Sequence, residues 1–142
     1  MKPIRVVVAM EPIGKGRPRT TFVNGKVRTY TPEKTKTAED FLRARLLKHR
    51  EQAFPAHVPV RLSITFYRSK SKYLPKSMTM PWQKFDLDNA VKWALDSMNG
   101  ILLADDAAIT TIRAAKRFTD KDFPYITMRL EEDSLKGEQN AE

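Results

Sequence analysis

The chain has 142 residues, 41% of them hydrophobic and 30% charged, with a formal net charge of +9 and no cysteine. That length suits one domain with a real core. No apolar run approaches the roughly 20 residues of a membrane span, and without cysteine there is no disulfide frame, thiolate zinc site or cysteine nucleophile. The basic excess favours a polyanionic partner, because Lys and Arg neutralise phosphates and release their counterions.

In chain order, residues 3–10 (PIRVVVAM) are β-branched and read as a buried strand. Val6 to Met10 is too short for a signal sequence, and together with the missing cysteines this fits the cytoplasm. Asn24-Gly25, between Thr21-Phe22-Val23 and Lys26-Val27-Arg28, is a two-residue hairpin signal. Thr31 as N-cap and Pro32 at the first helical position open a helix that runs to about residue 53. Its apolar side holds Ala38, Phe41, Leu42, Ala44, Leu46 and Ala53, and Pro55 ends it. Residues 58–67 alternate, with Val60, Leu62, Ile64 and Phe66 on one face of a half-buried strand. Residues 68–85 form a basic loop containing Pro75 and Pro81. A second helix, over about 87–98, stops at Asn99-Gly100. Strands over 109–118 and 125–131 follow, joined by Thr119-Asp120-Lys121-Asp122. The expected architecture is a single α/β (mixed α+β) domain over 1–131, a mixed sheet with two main helices packed on it. Residues 132–142 form a polar tail.

The stretch FDLDNAVKWALDSMNGILLADD, residues 85–106, concentrates five aspartates in this basic chain. At about 100° per residue, Leu87, Val91, Ala94, Leu95 and Met98 share the core face of the helix, and Asp88, Lys92, Asp96 and Asn99 the adjacent one. Taken singly, these acids have a plain structural explanation. Asp86 and Asp88 suit a helix N-terminus, and Asp88 with Lys92 is an i,i+4 pair contributing a few tenths of a kcal/mol. As a set they suggest chemistry. If Asp86, Asp88 and Asp106 converge within about 5 Å, each pair repels by roughly 3 kcal/mol at an effective dielectric near 20. A hard cation such as Mg²⁺ offsets that repulsion, taking a few carboxylates plus waters. The chemistry this suits is phosphodiester hydrolysis, with Lys92 at the scissile phosphate. The spacing is not that of an EF-hand loop. The histidines, His49 and His57, lie far from the acids in sequence, which argues against zinc.

The series Asp86-Leu87-Asp88-Asn89, Lys92, Asp96, Gly100, Asp105-Asp106 resembles the signature of the RusA family of Holliday junction endodeoxyribonucleases. Gly16-Arg17-Pro18-Arg19 followed by Tyr30-Thr31-Pro32 is similar to its phage-borne members. Phe85 stands where Pro is usual and Ala90 where Leu is usual; neither removes an acid. The resemblance implies a RusA-like fold and a homodimer that cuts opposed strands of a four-way DNA junction with Mg²⁺, or with Mn²⁺ in its place. It implies Asp86, Asp88 and Asp106 as metal ligands, Asp105 as a further member of the metal motif, and Lys92 as the catalytic lysine.

Two basic segments offer themselves to DNA: Lys15, Arg17 and Arg19, with Lys26 and Arg28, around the hairpin, and Arg68, Lys70, Lys72, Lys76 and Lys84 in the loop. No acid occurs between Gln52 and Phe85. Tyr73 and Trp82 either stack on unpaired bases or tuck into the core, the commoner fate of such side chains. Three alternatives stay open on sequence alone: a nuclease for flaps or forks, a non-catalytic DNA-binding module whose aspartates only cap a helix, and an RNA-directed enzyme.

Overall fold

Alternation along the strands decides which face of the sheet is covered. In β1 (Ile4–Val8), Ile4, Val6 and Val8 are buried while Arg5 and Val7 face out. The computed structural model describes residues 2–14, 19–30, 33–83 and 85–135. β2 (Arg19–Val23) and β3 (Lys26–Tyr30) form a hairpin of their own, turning through Asn24 (φ 52°) and Gly25 (φ 75°) as the Asn-Gly pair predicts. α1 (Glu33–Leu46) buries Thr35, Leu42 and Leu46. β4 (Val60–Arg68) turns Val60, Leu62, Ile64 and Phe66 inward, as its alternation predicts. α2 (Leu87–Met98), β5 (Ile109–Phe118) and β6 (Tyr125–Glu132) complete the chain. The main sheet runs β1-β6-β4-β5, antiparallel except for the β4–β5 pair. The result is a single α+β domain with a mixed four-stranded sheet and two main helices.

Two expectations change, and one pairing departs from chain order. The strand at residues 4–8 is an edge strand and not a fully buried one: Val7 is 68% exposed because that side of the sheet is uncovered. The first helix ends as α-helix at Leu46 and tightens into a 3₁₀ turn over Leu47–Gln52. That turn buries no residue, so nothing there packs to hold an α-helical register. The expected caps Thr31 and Pro32 lie outside the described residues. Finally, β5 and β6 follow each other in sequence but do not pair, because β4 lies between them. Their connection crosses the end of β4, where the Thr119 amide donates to Arg68 O (2.8 Å) and the Tyr67 and Tyr125 rings stack at 4.3 Å.

Ordered structure also reaches past the expected tail boundary. Glu132 pairs with Val60, and Asp133 accepts from Thr110 Oγ1 (2.7 Å), Thr111 Oγ1 (2.6 Å) and the Arg61 guanidinium (3.0 Å). The threonine hydrogen bonds first, then Arg61, hold the Asp133 carboxyl below its ordinary range. A depressed native value stabilises the fold above the unfolded value and is lost as pH falls through the native one. Asp133→Asn therefore lowers the thermal midpoint at neutral pH, and its gap to wild type narrows as the pH drops below about 4. A gap that does not change with pH removes the carboxylate charge from the effect.

Candidate active site

The parallel β4–β5 pair requires a crossover, and α2 is its helix. α2 packs against α1 as well as against the sheet, so its buried stripe is Ala90, Trp93, Ala94, Ser97 and Met98, flanked by half-buried Leu87, Val91 and Leu95. The expected core face is thus only part of the buried surface. On the neighbouring face Asp88 and Lys92 are exposed and Asp96 and Asn99 are half-buried.

At the start of α2, Asp86 occupies the N-cap position in an extended conformation, yet its carboxylate accepts no capping hydrogen bond. Among the described residues no ion pair joins Asp88 to Lys92. Asp86 thus makes no capping hydrogen bond and Asp88 no helix ion pair, leaving only the helix dipole to favour their charges. Two contacts locate this end of the helix. Lys116, eighth in β5, donates Nζ to Phe85 O (2.8 Å) and sits over the Phe85 ring. Gly14 packs so closely that a Cβ there would stand 3.0 Å from Phe85 Cβ and 3.6 Å from Asn89 Cβ. Gly14 thus lies against the helix start.

Asp106 lies elsewhere. It opens a short 3₁₀ turn just before β5, beside the C-terminal end of α2. Burial first, then a hydrogen bond to Asp105 and its charge, push the Asp106 carboxyl above its ordinary value. A hydrogen bond from the Asn99 amide opposes this, and the charge of Asp96 adds to it. Asp105 itself caps the turn, its Oδ1 accepting from Ala107 N at 3.4 Å. The acids accordingly form two sets: Asp86 and Asp88 at one end of α2, and Asp96, Asp105 and Asp106 at the other. From Asp88 to Asn99 the helix rises about 16 Å, and from Ile109 to Lys116 the strand spans about 23 Å. Both rulers put the sets too far apart for one chain to wrap its acids around one ion. Among the described residues no three Asp, Glu or His side chains stand close enough to hold one. The expected meeting of Asp86, Asp88 and Asp106 does not occur within the chain, because the crossover helix holds them apart.

Both sets nevertheless suit a hard divalent cation. Their donors are all oxygens, the acids around Asp106 repel one another, and the neighbouring Asn99 Oδ1 is buried without a hydrogen-bond partner.

The basic loop divides. Arg68 Nη1 donates to Gln83 O (3.0 Å), and Lys70 donates to Met78 O (2.7 Å) and lies over Phe118. These two cations, expected on phosphate, also hold the loop backbone. Lys72 and Lys76 are exposed. Lys15, Arg17 and Lys84, and the side chain of Arg19, lie outside the described residues. Sequence patterns missed Arg43, whose Nη1 donates to the carbonyls of Asp96 (3.1 Å), Ser97 (3.2 Å) and Asn99 (3.0 Å). It closes the exposed end of α2 from α1, more than fifty residues away, and so positions Asp96 and Asn99. No local signal marks such a contact.

An acid-lined crossover helix stands beside a braced basic loop, and comparison with known proteins gives the chain a family. The family model of the endodeoxyribonuclease RusA matches residues 9–131, and the chain belongs to that family. Membership indicates an endonuclease of the Holliday junction resolvase kind. The chain is also similar to "Uncharacterized protein YqaN" of Bacillus subtilis (strain 168), 27% identical over 139 residues, covering 91% of this chain and 96% of that protein. Among the described residues no helix is long and apolar enough to cross a membrane.

Proposed function

We propose that this chain resolves four-way DNA junctions by Mg²⁺-dependent hydrolysis, in DNA recombination and repair in the cytoplasm, and that it does so as a homodimer. Asp86, Asp88 and Asp106 would hold the cation, with Mn²⁺ able to replace Mg²⁺. When bound, the cation lowers the pKa of an attacking water and stabilises charge on the leaving oxygen. Lys92, exposed one turn beyond Asp88, neutralises charge growing on the scissile phosphate. Asp105 caps the turn through one oxygen, Oδ1, and its other oxygen stays available to orient Asp106 or to join the cation.

The observation that carries this reading is the pair of aspartates at the start of α2, exposed and used neither for capping nor for an ion pair, in a member of this family. The separation of the two acid sets bears on assembly. In an isologous dimer each contact occurs twice, reciprocally. A partner whose α2 runs the opposite way brings the Asp86–Asp88 end of one chain to the Asp106 end of the other. The site is then completed only on dimerisation, and two such sites match the near two-fold symmetry of a junction.

The test is incubation of a synthetic four-way junction, a flap, a fork and a linear duplex with and without Mg²⁺. Paired symmetric nicks in the junction alone, and only with the cation, are the expected result. Cutting of flaps or forks at equal rate assigns the chain to branched DNA generally, and no cleavage of any substrate leaves a DNA-binding module.

Lys72 and Lys76 carry the loop's contribution to phosphate contact. Replacing both with Ala weakens junction binding and lowers the salt slope by about two. Lys70→Ala instead loosens the loop, with a smaller change in slope. Equal slopes for wild type and the double variant exclude this loop from the DNA footprint.

A further inference from the structure

The two tryptophans have opposite fates. Trp93 is fully buried, whereas Trp82 is 71% exposed. An indole left largely in water is unusual for so large an apolar group, and it is not left there by a loose segment. Pro81 before it is buried, the Trp82 amide donates to Met80 O (2.9 Å), and the carbonyl of Gln83 after it accepts from Arg68 (3.0 Å) and Lys116 (3.5 Å). Lys116 also grips Phe85 O, and Lys70 grips Met78 O. The segment is braced on both sides of the ring. Trp82 precedes Asp86 by four residues, which span at most about 14 Å, or about four nucleotides at 3.4 Å each along one strand. The loop holds no acid and presents Lys72 and Lys76 to solvent.

We propose that Trp82 is a nucleobase-stacking platform: an unpaired or unstacked base at the branch point lies against its indole and sets which phosphate reaches the acids at the start of α2. This rests on the junction-cleaving reading above and adds a positioning residue to it. Stacking on an aromatic face needs no base identity, only a base freed from its pair, so Trp82 favours branched over fully paired DNA. The bracing removes the cost of ordering the ring when DNA arrives.

Because Trp93 is inaccessible, acrylamide quenching of tryptophan fluorescence reports on Trp82. The experiment uses the full chain with Ca²⁺ in place of Mg²⁺, so that the junction stays intact, and compares a four-way junction with a linear duplex of the same sequence. The expected result is that the junction shields Trp82 from acrylamide and the duplex does not. With Mg²⁺, Trp82→Ala loses about tenfold or more in junction cleavage and its cuts scatter over neighbouring phosphates. Trp82→Phe keeps most of the rate and the wild-type cut position. Three outcomes overturn the proposal: a junction that binds while Trp82 stays fully quenchable, a ring already shielded before DNA is added, or Trp82→Ala cutting at the wild-type position and rate. In all three the wild-type chain still resolves junctions. If wild type cuts no junction at all, the underlying reading fails and this one with it.

Discussion

Chains carrying Asp88→Asn or Asp106→Asn cut no junction alone, but a mixture of the two restores nicking. Each variant lacks one carboxylate of every site in its own homodimer, and loss of a cation ligand lowers cleavage by more than about a hundredfold. In a mixed dimer whose sites are shared between chains, one site loses both carboxylates and the other is intact. Random exchange of subunits leaves about a quarter of all sites whole, so the mixture nicks one strand of a junction without resolving it. Binding by each variant is unchanged or tighter, since an anionic group that repels phosphate has gone. The measurement is junction nicking after the variants are unfolded together and refolded, with mixed dimers confirmed by mass. A mixture as inactive as either parent, with mixed dimers present, overturns the shared site. The separation of the two acid sets along α2 then has to be closed by movement within one chain.

Trp93→Ala lowers stability by about 3–5 kcal/mol, a large share of the roughly 5–15 kcal/mol that holds a domain folded. The indole is fully buried, and Ser97 Oγ donates to the Trp93 carbonyl (2.8 Å) within the same stripe. Removal empties the centre of the helix–helix–sheet contact that keeps Asp88 and Lys92 on the outer face. Trp93→Phe costs less, because Trp93 Nε1 is buried with no acceptor and the phenyl ring discards that unsatisfied donor. Urea midpoints at constant slope measure both changes. An alanine variant within about 1 kcal/mol of wild type shows that the cavity collapses.

Features encoded over a few residues are legible in this chain before it folds. Asn24-Gly25 encodes a turn in two residues, because both adopt positive φ there. The period-two pattern of β4 and the bounds of α2 are likewise local, set by pleat, helical period and a stop signal. The Asp86 to Asp106 series needed no fold to be recognised, and the family match to residues 9–131 agrees with it.

What lay beyond the sequence depends on elements meeting in space. Trp82 and Tyr73 are exposed although most large aromatics find a core, since the loop around Trp82 is held by backbone contacts from Arg68 and Lys116. Lys70 reads as a phosphate ligand in sequence, and its second role, holding Met78 O, appears only in the fold. Arg43 reaches α2 from another helix, and β4 slips between two strands that are neighbours in sequence. The identities of the acids were written in the chain; their separation was not. Period and turn chemistry act over a few covalent bonds, whereas the distance from Asp88 to Asp106 is set by a helix packed rigidly between α1 and the sheet, and only that packing decides which carboxylates can share an ion.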